Sequence, residues 1–206
     1  MSGSAPGDSA PPAAPAPPGP PTFALQVASG VHGAFLLARG RVEGFAFASL
    51  SAEGPERSLA ALVLCAPAFL ALRLVAMGDA ATAPGTDLGL AMLADLCGYV
   101  AGWGAYGLAS GFVAGAWGRA ALWPRYLAGW AWCSVPQHAA YLLGALLPGA
   151  LGDVVSLLAF GWALWLAWFV AKAGLRLEGP RAAALVAVEV AVALFTGEVA
   201  GAVARG

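Results

Sequence analysis

The sequence predicts an all-α fold: a polytopic helical membrane bundle with about five transmembrane helices and a cytoplasmic N-terminus. Composition is the first reason, because 60% of the 206 residues are hydrophobic and only 10% are charged, unlike soluble globular domains. The second reason is the recurrence of apolar segments of about 20 residues, the length that a helix needs to cross a membrane. The third is that basic residues fall in alternate connections between these segments, as in chains that cross repeatedly.

Residues 1–22 are predicted to form a disordered tail that is rich in Pro and Ala. The stretch "MSGSAPGDSAPPAAPAPPGPPT" has almost no large side chain. Such a segment cannot bury enough apolar surface to offset the entropy that it would lose on ordering. We therefore expect no regular structure before Phe23.

Residues 23–57 are predicted to form an amphipathic interfacial helix followed by a cytoplasmic linker. In "FALQVASGVHGAFLLARGR", Phe23, Val27, Val31 and Phe35 recur at every fourth position, which places them on one side of a helix. The segment is too short and too polar to span the membrane. Two placements fit this pattern: a helix lying in the lipid headgroup layer, or a helix packed on the cytoplasmic end of the bundle.

Five apolar segments within residues 58–206 are predicted to form the transmembrane domain. The connections between them contain Gly and Pro, which end helices. Each segment is long enough to cross a hydrocarbon core of about 30 Å. Their approximate bounds are 58–77, 88–115, 126–147, 153–172 and 181–204.

The positions of Lys and Arg predict the orientation of these segments. Basic residues precede the first segment and lie in the connections after the second and the fourth, whereas the other two connections have none. The positive-inside rule then places the N-terminus in the cytoplasm and the C-terminus outside. The chain has no Ile and no Asn but much Ala, Gly and Arg, which is typical of a GC-rich bacterial genome. We therefore expect an integral protein of the bacterial cytoplasmic (inner) membrane.

The second segment, 88–115, is predicted to be the central helix of the bundle. It contains two runs of glycines that are four residues apart. This spacing puts small residues on one helix face, where a neighbouring helix can approach closely. The predicted packing glycines are Gly98, Gly102, Gly107, Gly111 and Gly115.

Three charged side chains are predicted to share one layer of the membrane. With a rise of about 1.5 Å per residue, Arg73 and Glu198 lie roughly 22 and 25 Å from the cytoplasmic ends of their segments. Asp95, which descends from the outside, reaches a similar level. Because an unpaired charge in hydrocarbon is costly, we expect Arg73 to pair with one or both carboxylates.

A second polar group is predicted nearer the cytoplasm, with Glu189 and His138 at depths of roughly 12 and 18 Å. Two arrangements fit: a hydrogen bond between Glu189 and His138, or a protonated Glu189. Glu189 and Glu198 should lie on opposite faces of their helix, while Thr196 shares the Glu189 face. Ionisable groups inside a membrane are functional candidates, here as a proton or ion relay through Glu189, His138 and Asp95; structural pairing is the alternative.

Catalytic motifs are missing from the sequence. There is no GxSxG and no HExxH, so we expect no enzymatic activity, no metal site and no cofactor. The formal net charge of -1 provides no basic field for nucleic acid. The expected partners are membrane lipids, a second copy of the chain in a homo-oligomer, or other membrane proteins.

One stretch resembles a known family. In "WPRYLAGWAWCSVPQHAAYLLGALLPGALGDVVSLLAFGWALWLAWF", an aromatic run precedes the mid-span Pro136, a short turn follows at Pro148 and Gly149, and a long aromatic and aliphatic span comes next. In these features and in its topology the chain resembles the Yip (Ypt-interacting protein) family. The resemblance implies a non-enzymatic protein that organises membrane or scaffolds partners. The family's tyrosine- and glycine-containing tail motif is not found here, so binding to small GTPases is not implied.

Two functions therefore remain open at this point. The first is a Yip-like membrane-organising or scaffolding bundle, which the Gly-rich second segment and the missing catalytic motifs favour. The second is a small proton- or ion-coupled transporter or channel that uses Glu189, His138 and Asp95. The carboxylates within apolar segments and the mid-span prolines Pro67 and Pro136 favour this second function.

Overall fold

Seven α-helices make up the described part of the chain, and the predicted all-α class is confirmed. The computed structural model describes residues 22–49, 59–78 and 87–205. Residues 1–21 of the predicted tail and 50–58 around the predicted linker lie outside the described residues. The helices are α1 (Phe23–Leu37), α2 (Gly44–Ser49), α3 (Leu59–Met77), α4 (Leu88–Ala116), α5 (Trp123–Leu146), α6 (Gly149–Gly174) and α7 (Gly179–Arg205).

Four of these helices, α3, α4, α6 and α7, are long and apolar enough to cross a membrane, so the chain is a helical membrane protein. The remaining long helix, α5, has 24 residues and would extend about 36 Å. It is more polar, since it carries Arg125, Gln137 and His138. The predicted third segment, 126–147, therefore corresponds to a long helix whose polar side chains need protein around them.

Helix α5 lies at the centre of the bundle. It packs against α1, α2, α3 and α6, and its Trp132 is 0% exposed. The prediction that segment 88–115 forms the central helix is wrong, because α4 packs mainly against α7 and leaves Leu108 and Phe112 78% and 80% exposed. Helix α5 is central because its polar side chains must be shielded from lipid. The glycine spacing of α4 favours close contact on one face only, so it does not require a central position.

The first pair of predicted packing glycines brings α4 and α7 together. A Cβ atom added at Gly98 would lie 2.9 Å from the Cβ of Ala200, and one added at Gly102 would lie 3.2 Å from Oγ1 of Thr196. Both distances are shorter than ordinary contacts between side chains. Two turns of α4 therefore use the missing side chains for close helix packing.

The second run of glycines does not form one packing groove. A Cβ atom at Gly111 would lie 3.2 Å from the Trp123 ring, but one at Gly107 or Gly115 would have no neighbour within 4 Å. The prediction that all five glycines pack against other helices is therefore wrong for Gly107 and Gly115. Spacing identifies residues that share a face, but it does not say whether another helix covers the whole length of that face.

Helix α1 packs on the bundle through small residues. It contacts α2 and α5, and a Cβ atom at Gly30 would lie 2.1 Å from the ring of Trp132, while one at Gly33 would lie 2.7 Å from the Gly44 carbonyl oxygen. Part of the predicted apolar side of α1 is exposed instead of packed, since Phe23 and Phe35 are 69% and 48% exposed. Glycines allow the closer approach, which leaves the large rings outside.

The five long helices pack in a closed sequence, and a cavity lies between four of them. Helix α5 packs against α6, α6 against α7, α7 against α4, α4 against α3, and α3 against α5. Each α-helix is about 10 Å wide with its side chains, so a ring of five leaves space at its axis. Side chains from α3, α4, α5 and α7 line that space.

Candidate functional site

A cavity of about 420 Å³ lies between helices α3, α4, α5 and α7. Four of the five ionisable side chains that the sequence singled out as candidates line it: Arg73, Asp95, His138 and Glu189. Thr196 lines it as well, as expected of a residue on the Glu189 face. Aromatic rings form much of the remaining wall: Phe69, Tyr99, Trp103, Tyr106, Trp130 and Tyr141.

Arg73 and Asp95 form an ion pair at one end of the cavity. Nη2 of Arg73 lies 2.8 Å from Oδ1 of Asp95, with the Asp95 side chain 11% exposed and the Arg73 side chain 43% exposed. The expected pairing of Arg73 with an intramembrane carboxylate is thus found. In a low-dielectric environment each charge offsets the cost of the other, whereas either one alone would be strongly unfavourable.

Glu198 does not join this ion pair. Its side chain is exposed and lies outside the cavity that Arg73 and Asp95 line. The expectation of a shared layer of three charges is therefore correct for two of them only. Nine residues of helix separate Glu198 from Glu189, so the cavity side of α7 holds Glu189 and the opposite side holds Glu198.

Glu189 accepts a hydrogen bond from a tryptophan across the cavity. Nε1 of Trp130 on α5 donates to Oε1 of Glu189 on α7, with 2.7 Å between the two atoms. The sequence does not predict Trp130 as a site residue, because nothing in it connects positions 59 residues apart. Among the described residues, no Lys, Arg or His pairs with the Glu189 carboxylate.

His138 has a partner of its own. Its Nδ1 donates to the carbonyl oxygen of Ser134, one turn earlier in α5, at 2.8 Å. The expected hydrogen bond between His138 and Glu189 is therefore not formed, although both residues line the same cavity. With Nδ1 as the donor, a neutral imidazole presents Nε2 as an acceptor.

A continuous series of ring contacts runs along the cavity wall. The centroid distances are 4.5 Å for Phe69 and Tyr99, 5.9 Å for Tyr99 and Trp103, 4.8 Å for Trp103 and Trp130, and 4.8 Å for Trp130 and Tyr106. We call these five residues the aromatic ladder. Such separations suit offset and edge-to-face contacts between rings. Because Glu189 is hydrogen-bonded to Trp130, its carboxylate lies beside the aromatic ladder.

The sequence contains a signal for three of the five residues of this ladder. Tyr99, Trp103 and Tyr106 follow Asp95 at spacings of four, four and three residues. Residues at these spacings lie along one face of a helix. Aromatic residues on the same helix face as an intramembrane carboxylate therefore indicate a cavity wall. In α4 they locate the cavity better than the glycines do.

Buried tyrosines close one end of the cavity. The hydroxyl groups of Tyr106 and Tyr126 are hydrogen-bonded to each other, and one turn further along α4 the Trp123 Nε1 donates to Oγ of Ser110 at 3.1 Å. Both tyrosines belong to the main hydrophobic core, which also includes the fully buried Leu166. This closed end lies where α5 begins, which is the cytoplasmic end in the predicted topology.

The described residues contain no group of three or more His, Cys, Asp or Glu side chains placed to hold a metal ion. No protein-family model, curated protein or solved structure matches the chain. Fold and site together define its class: a helical membrane protein with a cavity between its helices in which charged and aromatic side chains meet. The resemblance to the Yip family stays a prediction.

Proposed function

We propose that the protein is a small proton-coupled transporter of the bacterial cytoplasmic membrane that binds its ligand in the cavity. One observation carries this proposal: the Glu189 carboxyl group faces the cavity with the neutral Trp130 N–H as its hydrogen-bond donor. A scaffold needs no such group. Ionisable side chains that face an intramembrane cavity are characteristic of substrate and proton pathways.

The charge of Glu189 explains how coupling would work. A carboxylate in a low-dielectric site requires neutralisation, either by a proton or by a bound cation. Arg73 cannot serve, because it is already paired with Asp95. Proton and ligand would therefore occupy Glu189 in turn, and exchange of one for the other couples their movements.

The closed end of the cavity supplies the barrier that such exchange requires. The hydrogen-bonded pair Tyr106 and Tyr126 separates the cavity from the end of the bundle where α5 begins. A transporter must open its site to each side in turn. In this proposal the tyrosine pair separates when Glu189 becomes accessible from the cytoplasm.

Proton flux in liposomes tests the proposed function. The full chain is reconstituted with an internal pH-sensitive dye, and native protein is compared with Glu189→Gln and with Glu198→Gln. The control variant makes the same chemical change on the same helix but outside the cavity. We expect flux from the native chain and from Glu198→Gln and none from Glu189→Gln. No flux from the native chain, or equal flux from all three proteins, would reject proton transport.

A Yip-like scaffold or homo-oligomer is the second candidate, and one surface of α4 favours it. Gly107 and Gly115 have open space around them, and they flank Leu108 and Phe112, which are largely exposed. Exposed small residues at helical spacing allow a second membrane helix to approach. Cross-linking in membranes would detect a dimer or a stable partner, and Gly107→Leu should weaken it. A native chain that stays monomeric and without a partner would count against this candidate.

A further inference from the structure

We propose that the ligand of the cavity is a singly charged organic cation, with its charged nitrogen at Glu189 and its apolar groups against the aromatic ladder. The inference rests on the proposed function in one respect, namely that the cavity binds a ligand. It goes beyond that function by naming the chemical class of the ligand. Three observations lead to this class: the charges of the lining, the rings around Glu189 and the shape of the site.

The charges that line the cavity favour a cation. Arg73 and Asp95 form an ion pair, so their charges largely offset each other. Glu189 is then the uncompensated charge among the ionised side chains of the described lining. A bound anion would lie beside an unpaired carboxylate, whereas a bound cation would neutralise it. The charges of the lining therefore favour a cationic ligand over an anionic one.

The rings around Glu189 favour an organic cation over a metal ion. Trp130 donates to the carboxylate, and the rings of Trp103 and Tyr106 lie with centroids 4.8 Å from that of Trp130. Electron-rich rings attract ammonium groups at distances of up to about 6 Å. A calcium or magnesium ion instead requires several oxygen ligands, and the described residues contain no group of three or more His, Cys, Asp or Glu placed to hold a metal ion.

The shape of the site favours a cation that carries an apolar body. The volume of about 420 Å³ lies within the usual range for pockets that bind small organic molecules. Residues from Glu189 to Ala200 of α7 line it, so the cavity extends about 16 Å along the helix. The aromatic ladder continues over this distance as far as Phe69. It can therefore contact apolar groups well away from the charged nitrogen.

The opposite end of the cavity limits the ligand to one positive charge. Arg73 lies there, and its Nε is buried with no hydrogen-bond partner among the described residues. Because Arg73 already pairs with Asp95, a second ammonium group at that end would find no uncompensated carboxylate to offset the cost of its burial. A polyamine of the same length is therefore a poor ligand, whereas an amine with one charge and an apolar tail is a good one.

Binding to the purified full chain in detergent tests the inference. The probes are benzyltrimethylammonium and phenylmethanesulfonate, which are similar in size and opposite in charge, and calorimetry measures their dissociation constants. We expect the cation to bind at least about tenfold more tightly than the anion, because a charge-assisted contact commonly contributes this much. Equal affinity for the two ions, or a preference for the anion, would overturn the proposal.

Three variants separate the site from general effects on the protein. Glu189→Gln should weaken cation binding at least about tenfold, and Glu198→Gln should leave it unchanged. Trp103→Leu keeps an apolar side chain but removes one ring, so it should weaken binding about threefold or more. If Glu189→Gln fails to fold, Trp103→Leu decides the outcome. Native affinity in either cavity variant that folds would overturn the proposal.

Failure of the inference and failure of the proposed function are distinguishable. Proton flux that depends on Glu189, without binding of the organic cation, would overturn the ligand class and leave proton transport standing. Cation binding that depends on Glu189, without any proton flux, would support the ligand class and reject coupled transport.

Discussion

The indole N–H of Trp130 and the carboxylate of Glu189 join two helices across the cavity, with 2.7 Å between Nε1 and Oε1. Helices α5 and α7 are not close packing neighbours, since α6 and α4 pack against α7 instead. The hydrogen bond therefore spans the cavity. It fixes the position of the carboxylate that the proposed transport depends on.

Replacing Trp130 by Phe should lower the stability of the protein by about 1–3 kcal/mol, because a partly buried carboxylate loses its donor. The ring itself stays, so most of the packing is kept. Thermal unfolding in detergent measures the change. Trp165→Phe on α6 is the control, since Trp165 is 41% exposed and should change stability by less than about 0.5 kcal/mol. Equal effects of the two substitutions would show that the hydrogen bond contributes nothing.

Breaking the ion pair of Arg73 and Asp95 should destabilise the protein more than removing both charges. Asp95→Asn leaves the guanidinium group unpaired, and we expect the free energy of unfolding to fall by about 1–3 kcal/mol. The loss is smaller than for a fully buried ion pair because the Arg73 side chain is 43% exposed. The double variant Arg73→Met with Asp95→Leu should recover most of this loss. Unfolding of the two matching single variants, Arg73→Met and Asp95→Leu, and of the double variant completes a double-mutant cycle. Additive losses would contradict a direct interaction.

Alanine substitutions at Gly98 and at Gly107 should change stability in opposite directions. A Cβ atom at position 98 would have to fit at 2.9 Å from the Cβ of Ala200, whereas a Cβ atom at position 107 would have open space. Gly98→Ala should therefore destabilise by about 1–3 kcal/mol through overpacking. Gly107→Ala should stabilise by up to about 1 kcal/mol, since Ala is the better helix former. Effects of the same sign in thermal unfolding would contradict the described packing of α4 on α7.

Binding of the organic cation should weaken as the pH falls, because a proton and the cation compete for Glu189. Glu189→Gln should remove this dependence. Calorimetric titrations of benzyltrimethylammonium across a pH series measure it, and an affinity that rises as the pH falls would contradict competition. Arg73, Asp95 and His138 line the same cavity. The further ionisable groups that interact electrostatically with Glu189 are Tyr106, Tyr126, Cys133 and Tyr141.

The helices and much of their placement follow from the amino-acid sequence alone. The predicted segments 88–115 and 181–204 agree closely with α4 (Leu88–Ala116) and α7 (Gly179–Arg205). Apolar length and the Gly and Pro residues at helix ends are local properties, so they can be read without knowing the neighbours. The depth of Arg73 likewise required a carboxylate partner, because an unpaired charge in the membrane is too costly.

Which helix faces meet depends on the packing of the whole chain. The sequence offered Asp95 and Glu198 as partners for Arg73, and the rotation of α4 and α7 selected Asp95. It also offered His138 for Glu189, whereas the packing of α5 brought Trp130 to that carboxylate instead. A helix has the same length and apolar character whichever way it is rotated about its axis. Its rotation is set by contacts with helices far away in the chain, and those contacts form the cavity.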